Sequence, residues 1–335
     1  MAPRDTPARV LTADRGDAGV RLDLVLRRHL ADVDAATRTQ VQLWIENGHV
    51  TVNGVPVHRT AARAAAGDVV TVTLPPTAPR TAMAAENVAL DILYEDDHLL
   101  ALDKPAGVVV HPSYKNAAGT VLNALLWHAR GWPGGQRPSL VGRLDKGTSG
   151  ILVVAKTAPI HAALQRTMAS SVAEKDYLAV VYGRVKTVRG EIALRLGHDP
   201  MDRRRMVASS SVGAPCLTRF ERLACVAAPR AGLSLLRCRL VTGRTHQIRA
   251  HLAARNWPPV GDTVYGDPRW TAIADPELAA TLRAFPRQAL HAWRVAFTHP
   301  VTHRRLVLEA PLPCDLEGLL TAAGLYRPAL ASAYS

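Results

Sequence analysis

The sequence predicts an α+β protein in which a large mixed, mainly antiparallel sheet, flanked by helices and loops, follows a small N-terminal α/β module. Three observations lead there. Apolar runs that read as strands outnumber those that read as helices. The two kinds do not alternate regularly, as a chain of parallel βαβ units would require. And a Pro/Ala-rich stretch without period, Pro75 to Glu86 (PPTAPRTAMAAE), separates the first group of elements from the rest. The segmentation that follows is a flexible tail over 1–18, the module over 19–75, a linker over 76–87, the main domain over 88–326 and a second tail over 327–335.

In the module, Leu22, Leu26 and Leu30 recur at i, i+4, i+8, which predicts an amphipathic helix with Arg27 and Arg28 off the apolar stripe. A second helix is expected from Ala36 to Asn47. HVTVNG then alternates and stops at Asn53-Gly54, a turn signal, and AGDVVTVTLP is another alternating strand. The main domain opens with strand, turn, strand in VALDILYEDDHLLALDKPAGVVVHP, with breaks at Asp96-Asp97 and at Lys104 to Gly107. Helices are expected over 120–130, over 158–170, through THQIRAHLAARN and at DLEGLLTAAG. Strands are expected at ILVVAK, KDYLAVVYG, EIALRL, CLTRFERL, LSLLRCRLV, HAWRVAF and RLVLEAPL.

The net charge of +13 implies a polyanionic partner, because clustered Lys and Arg supply the phosphate-neutralising attraction that dominates nucleic-acid affinity. Six of the 41 basic residues are Lys, so the Arg count itself reflects a compositional bias and adds little. No apolar run approaches the ~18 residues that a membrane-spanning helix needs, and the first residues hold no apolar signal core. The expectation is a cytoplasmic protein with no membrane partner. The four cysteines (Cys216, Cys225, Cys238, Cys314) form no CxxC pair and are expected to be buried and reduced. No zinc-type, Walker-type or dinucleotide-type motif occurs, so neither a metal nor a cofactor is implied.

Two windows carry the chemistry. VGRLDKGTSG (Val141 to Gly150) sets Asp145 between Arg143 and Lys146 in a Gly-punctuated turn, and the flanking cations favour its charged form. Such a carboxylate suits a nucleophile or general base; it equally suits a surface ion pair with Arg143. A serine-hydrolase reading of Ser149 fails, since Ile151 stands where the nucleophile elbow needs Gly. TGRTHQIRAH (Thr242 to His251) carries Arg244, His246, Gln247, Arg249 and His251 without an acid, at the start of a helix, where anions are favoured. The ordinary alternative for His246 and His251 is packing in or beside the core.

Taken together, these windows resemble those of the RluA-like pseudouridine synthases. The resembling segments are Tyr94 to Pro112, Gly142 to Lys156, Lys175 to Gly183, TGRTHQIRAHL (Thr242 to Leu252), VGDTVYG (Val260 to Gly266) and Arg287 to Thr302, in the family's order. The N-terminal module resembles the S-four (alpha-L) RNA-binding domain through RLDLVL, the helix with Arg38 and Gln40, IENGHVTVNG and AGDVV. The resemblance implies the pseudouridine synthase fold and an isomerase that detaches uracil from its ribose and rejoins it through carbon 5, without cofactor. It implies Asp145 as the essential carboxylate, Arg244 as the arginine that pairs with it and Tyr177 as the aromatic that stacks on the uracil; beside them Arg143 is expected to support the turn or a flanking phosphate. RNA contacts are expected from Arg27, Arg28, Arg38, Lys146, His246 and Arg249. The implied partner is structured RNA, 23S ribosomal RNA first, bound by a monomer; a transfer-RNA substrate, or a mainly RNA-binding role in ribosome assembly, is the alternative. Two positions depart from the family's usual pattern: Gly142, where His is commoner, and Gly147, where Asp is commoner.

Overall fold

The computed structural model describes residues 8–33, 36–74, 83–112, 116–202, 205–226, 232–266 and 268–326. The chain divides into two compact units, 1–83 and 84–335. The first holds β1 (Ala8–Thr12), α1 (Leu22–His29), α2 (Arg38–Glu46), β2 (Val50–Val52), β3 (Val55–Pro56) and β4 (Val69–Thr73), with sheet order β1-β4-β2-β3, antiparallel throughout. The Leu22/Leu26/Leu30 stripe packs with Val41, Trp44 and Ile45 of α2 against Val50, Val70 and Val72 of the sheet. Each such side chain, once buried, stabilises the fold by about 1.5–3 kcal/mol. Thr37 caps α2 by accepting the Gln40 N–H at 3.3 Å. Buried Asp23 stitches the helices together, taking Arg21 in a two-pronged pair and Gln42 at 2.9 Å.

Two expectations about segmentation are corrected. Residues 8–12, read as tail, form β1, paired in register from Ala8↔Thr73 to Thr12↔Val69. The linker lies in part outside the described residues, as do the terminal segments 1–7 and 327–335; its end does not behave as a linker. Ala84 accepts the Asn123 side-chain amide at 2.7 Å and the Glu86 carboxylate accepts the Gly119 N–H, so residues 84–86 are tied to the second unit by hydrogen bonds.

That unit runs β5 (Asp91–Glu95), β6 (Leu99–Lys104), α3 (Val121–His128), β7 (Ser139–Leu140), β8 (Ser149–Ala155), α4 (Ala158–Ala169), β9 (Glu174–Tyr182), β10 (Arg189–His198), β11 (Met206–Ser209), β12 (Ala214–Val226), β13 (Leu233–Leu240), α5 (Gln247–Ala254), α6 (Pro276–Ala284), β14 (Leu290–Thr298), β15 (Arg305–Glu309) and α7 (Cys314–Ala322). Its sheet has the order β11-β10-β12-β13-β9-β14-β8-β6-β5, with β15 beside β14 and β7 beside β8. All pairings are antiparallel except β14 with β8.

The central strands are covered on both faces, which is why they read as continuous apolar runs. Leu99 and Ala101 of β6 face the cluster that includes Leu164 of α4, while Leu100 and Leu102 face Val121 and Leu125 of α3. Leu178, Val180 and Tyr182 of β9 meet Leu316 and Leu319 of α7; Ala179 and Val181 meet Ile248 and Leu252 of α5. Alternation with period 2 sends successive side chains to opposite layers. At the parallel junction Ala292 sits opposite Gly150, whose φ is +108° and where an added Cβ would lie 2.2 Å from the Ala292 carbonyl oxygen. Only glycine fits there. All four cysteines are free thiols; Cys216 and Cys238 are buried and Cys225 is half-buried, but Cys314 is exposed at the start of α7, against expectation, because it lies off the face on which that helix buries Leu316, Leu319 and Leu320.

One strand pair carries a charge conflict. Asp103 of β6 lies opposite Asp91 of β5, and burial, then the Asp91 charge, raise its carboxyl to about 6. The native state therefore holds a proton there between pH 4 and 6 that the unfolded chain releases. The destabilisation is absent below about pH 4 and complete above about 6. Asp103→Asn, which can still accept the Gly150 N–H, is expected to stabilise the protein at pH 7 by about 1 kcal/mol after solvent screening is allowed for, roughly 2–4 °C in Tm. Thermal melts at pH 7 and pH 4 check this: the gain vanishes at the lower pH.

Candidate active site

The loop from β7 to β8 carries Asp145, and its backbone is held from beneath by buried cations. Lys104, at the end of β6 and fully buried, donates its ammonium to the carbonyls of Pro105 (2.7 Å), Val108 (3.0 Å) and Lys146 (3.3 Å). Those oxygens replace water around the charge. Burial, then the nearby Arg287, push the amine down to about 8, while Asp145 and Asp103 pull the other way. Arg287, paired with Asp315 at 2.6 Å, donates to the Gly147 carbonyl at 3.2 Å. The Gly107 N–H donates to the Lys146 carbonyl at 2.8 Å, and the turn closes on itself through Thr148 N–H to Asp145 O at 3.0 Å.

The carboxylate itself meets α5. Arg249 donates from Nη1 to Asp145 Oδ2 at 2.8 Å, and from Nε and Nη2 to Asp262 at 2.6 and 2.8 Å. Burial would raise the Asp262 carboxyl, but Arg249 and the N–H groups of Val264 and Tyr265 hold it below the usual carboxylate range. Arg249 is 5% exposed, so its guanidinium is a buried bridge between two acids. Gln247 sets the approach to this helix: its side-chain oxygen accepts from the Thr242 hydroxyl and the Arg244 N–H, and its amide donates to Leu217 O and Thr218 Oγ1. His246 turns the chain through a left-handed conformation, φ 55°, immediately before it.

Above Asp145 opens a cavity of about 720 Å3, lined among others by Arg143, Tyr177, Arg244, His246 and Arg294. Tyr177, on β9, is half-buried; burial, then the Asp145 charge, raise its hydroxyl, so it stays a neutral phenol. Arg143 is exposed and donates to Thr245 Oγ1 at 3.3 Å, tying the Asp145 loop to the TGRT loop.

The structure thus assigns the ion pair differently from the sequence reading. Arg244 does not pair with Asp145: it is exposed, in the loop before α5, and its backbone N–H donates to the Gln247 side-chain oxygen. Arg249 does not stand free for RNA; it is buried and is the partner of Asp145. The reason is where the helix begins. With α5 opening at Gln247 rather than at Thr242, Arg249 falls on its first turn. His246, also expected among RNA contacts, is half-buried with Nε2 3.7 Å from Asp145. Lys146 is exposed beside the site. In the first unit Arg27 and Arg38 are exposed, whereas Arg28 is engaged with Asp14 and Asp17 at 2.5 and 2.9 Å. His251 is core, bonded to Thr218 Oγ1, and Ser149 is buried against His291 at 2.9 Å, away from the cavity lining.

Sequence reasoning gave no role to Lys104, Asp262, Tyr265, Arg287 or Gln288. The two glycines that depart from the resemblance have physical counterparts. Gly142 has φ +97°, where a His side chain would be strained. At Gly147 an added Cβ would lie 2.3 Å from Gln288 Oε1, and Gln288 donates to Thr148 Oγ1 at 3.1 Å. Gln288 fills the space a side chain at 147 would take. Gly147→Asp is expected to cost about 1–3 kcal/mol of stability by overpacking, and Gln288→Ala in the same chain to return most of it. Urea titrations of the two single variants and the double variant measure that coupling; strictly additive losses would contradict it.

Comparison with known proteins agrees with this architecture. Residues 98–254 match the family model described as RNA pseudouridylate synthase, and residues 20–70 match the S4 domain. Ribosomal large subunit pseudouridine synthase D of Neisseria meningitidis serogroup A is 40% identical over 308 residues, 92% of this chain and 80% of that protein. The protein of the same name from Vibrio vulnificus is 37% identical, covering 91% of each. Among solved structures, human RNA Pseudouridylate Synthase Domain Containing 4 superposes with a TM-score of 0.56 at 21% identity, over 71% of this chain and 94% of that one. Human RNA Pseudouridylate Synthase Domain Containing 1 gives 0.54 at 23% identity, over 75% and 96%; these two bear on the fold alone.

Proposed function

The chain belongs to the RNA pseudouridylate synthase family, and from that premise we propose that it isomerises uridines of large-subunit (23S) ribosomal RNA with Asp145 as the catalytic carboxylate. The observation that carries this reading is one carboxylate, buttressed by Arg249, at the floor of a cavity of about 720 Å3 that also presents a phenol ring, Tyr177. That volume falls in the range of small-molecule sites, large enough for one extruded nucleotide.

Extruding the uridine costs a few kcal/mol, which stacking on Tyr177 offsets. The N1–C1′ bond then breaks, the base turns, C5 bonds to C1′, the C5 proton leaves and N1 gains one. Nothing is oxidised or lost, so this chemistry calls for no cofactor. Asp145 acts at the ribose or at the base, and Arg249 keeps its carboxylate aimed while water is excluded. The S4 domain and the net charge of +13 support binding to folded RNA, and the names of the relatives support the large ribosomal subunit as its source. The compartment that goes with that substrate is the cytoplasm; no helix among the described residues is long and apolar enough to cross a membrane.

A pseudouridine map of total RNA from cells with and without the gene tests the substrate. Loss of pseudouridine at defined 23S positions is expected. Losses confined to transfer RNA would move the substrate class, and an unchanged map would leave a binding role in ribosome assembly.

A further inference from the structure

Beside Asp145 stands a second donor that the scheme above does not use. The left-handed backbone of His246 swings its imidazole between Asp145 and Tyr265. Nε2 lies 3.7 Å from Asp145 Oδ2, the same oxygen that takes Arg249 at 2.8 Å, and Nδ1 lies 3.1 Å from the Tyr265 hydroxyl. The two rings meet edge to face at 5.7 Å.

The hydrogen-bond partners point to one tautomer of the ring. The Tyr265 oxygen accepts the backbone N–H of Met206 at 2.8 Å, so its own proton needs an acceptor, and His246 Nδ1 is the one in reach among the described residues. The imidazole proton then sits on Nε2, facing the carboxylate. The opposite tautomer would set a lone pair against a carboxylate oxygen. Burial also disfavours the charged ring, against the pull of Asp145.

We propose that His246, held in the Nε2–H tautomer by Tyr265, is a positioning residue that shares Oδ2 of Asp145 with Arg249 and so presents Oδ1 to the uridine. A single bond from Arg249 leaves the carboxylate free to pivot and exchange its oxygens; a second donor on the same oxygen restrains that rotation. The 3.7 Å separation is beyond hydrogen-bond length and shortens when substrate excludes water, as catalytic hydrogen bonds often do. The inference rests on the reading of Asp145 as the catalytic carboxylate.

Two measurements test it. In single-turnover reactions on a 23S fragment, His246→Ala and Tyr265→Phe are expected to lower the rate at saturating RNA roughly 10- to 100-fold, the scale of a misplaced reacting group, with RNA affinity unchanged. His246→Gln, whose amide N–H can take the place of Nε2–H, recovers most of the rate. In 15N-histidine spectra, the signal missing from His246→Gln should belong to a neutral, Nε2-protonated ring at pH 7 that becomes a tautomer mixture in Tyr265→Phe. A charged or Nδ1-protonated ring in the wild type overturns the proposal, as does a loss confined to RNA affinity, or full activity of His246→Ala beside an inactive Asp145→Asn. An active Asp145→Asn would instead overturn the reading on which it rests.

Discussion

Asp145→Asn is expected to abolish pseudouridine formation, a loss on the order of 10^4-fold or more, the scale reached when an enzyme's reacting side chain is removed. The substitution is nearly isosteric, so the cavity keeps its shape. The amide oxygen can still accept from Arg249, and Arg249 keeps its two bonds to Asp262, so the fold loses little. What disappears is the anion. An amide neither adds to a carbon centre nor accepts a proton at neutral pH, whichever atom of the nucleotide the carboxylate attacks. RNA affinity should stay within a few-fold of wild type and lean upward, because one negative charge is lost beside exposed Arg143, Lys146 and Arg244. Release of tritium from RNA carrying [5-3H]uridine reads the reaction directly, since the C5–H bond is the one lost. Undiminished release with intact binding would remove Asp145 from the mechanism.

The sequence carried the elements whose apolar residues are buried with a clear period, or on both faces. α1, α2, β4 and the run Ser149–Ala155 were legible for that reason. β1 was not, because its residues are exposed or half-exposed on an edge strand, and a strand with no buried face leaves no alternation to read. α6 escaped likewise: Leu282 is its single buried residue. At the site, the Asp145 turn could be picked out because charges and glycines cluster locally. Its true partner could not. TGRTHQIR offers arginines at 244 and 249, and the choice between them depends on where a left-handed residue starts the helix and on Asp262, an acid 13 residues farther on with no local mark of its role. Lys104 was hidden for a related reason, since a lysine before proline reads as a surface turn until three carbonyls are seen folded over its ammonium.

The distinction between the two arginines gives the second large effect. Arg249→Met is expected to destabilise the protein by about 3–5 kcal/mol and to abolish turnover, because it leaves Asp262, fully buried, without its countercharge and frees Asp145 at the same time. Arg249→Lys should fall between, since one ammonium cannot make the forked bond to Asp262 and also reach Asp145. Arg244→Ala, by contrast, should change stability by no more than about 0.5 kcal/mol, with its effect confined to RNA affinity. Stability and activity can then be separated in one chain. Neutralising the other member of the buried pair as well, Arg249→Met with Asp262→Asn, removes the stranded charge while the Asn oxygen still accepts the Val264 and Tyr265 N–H groups, and should restore much of the lost stability. Turnover should not return, since nothing in the double variant holds Asp145. Urea titration and tritium release on the same samples measure the two quantities, and a double variant that regained both would mean that Arg249 serves the fold alone.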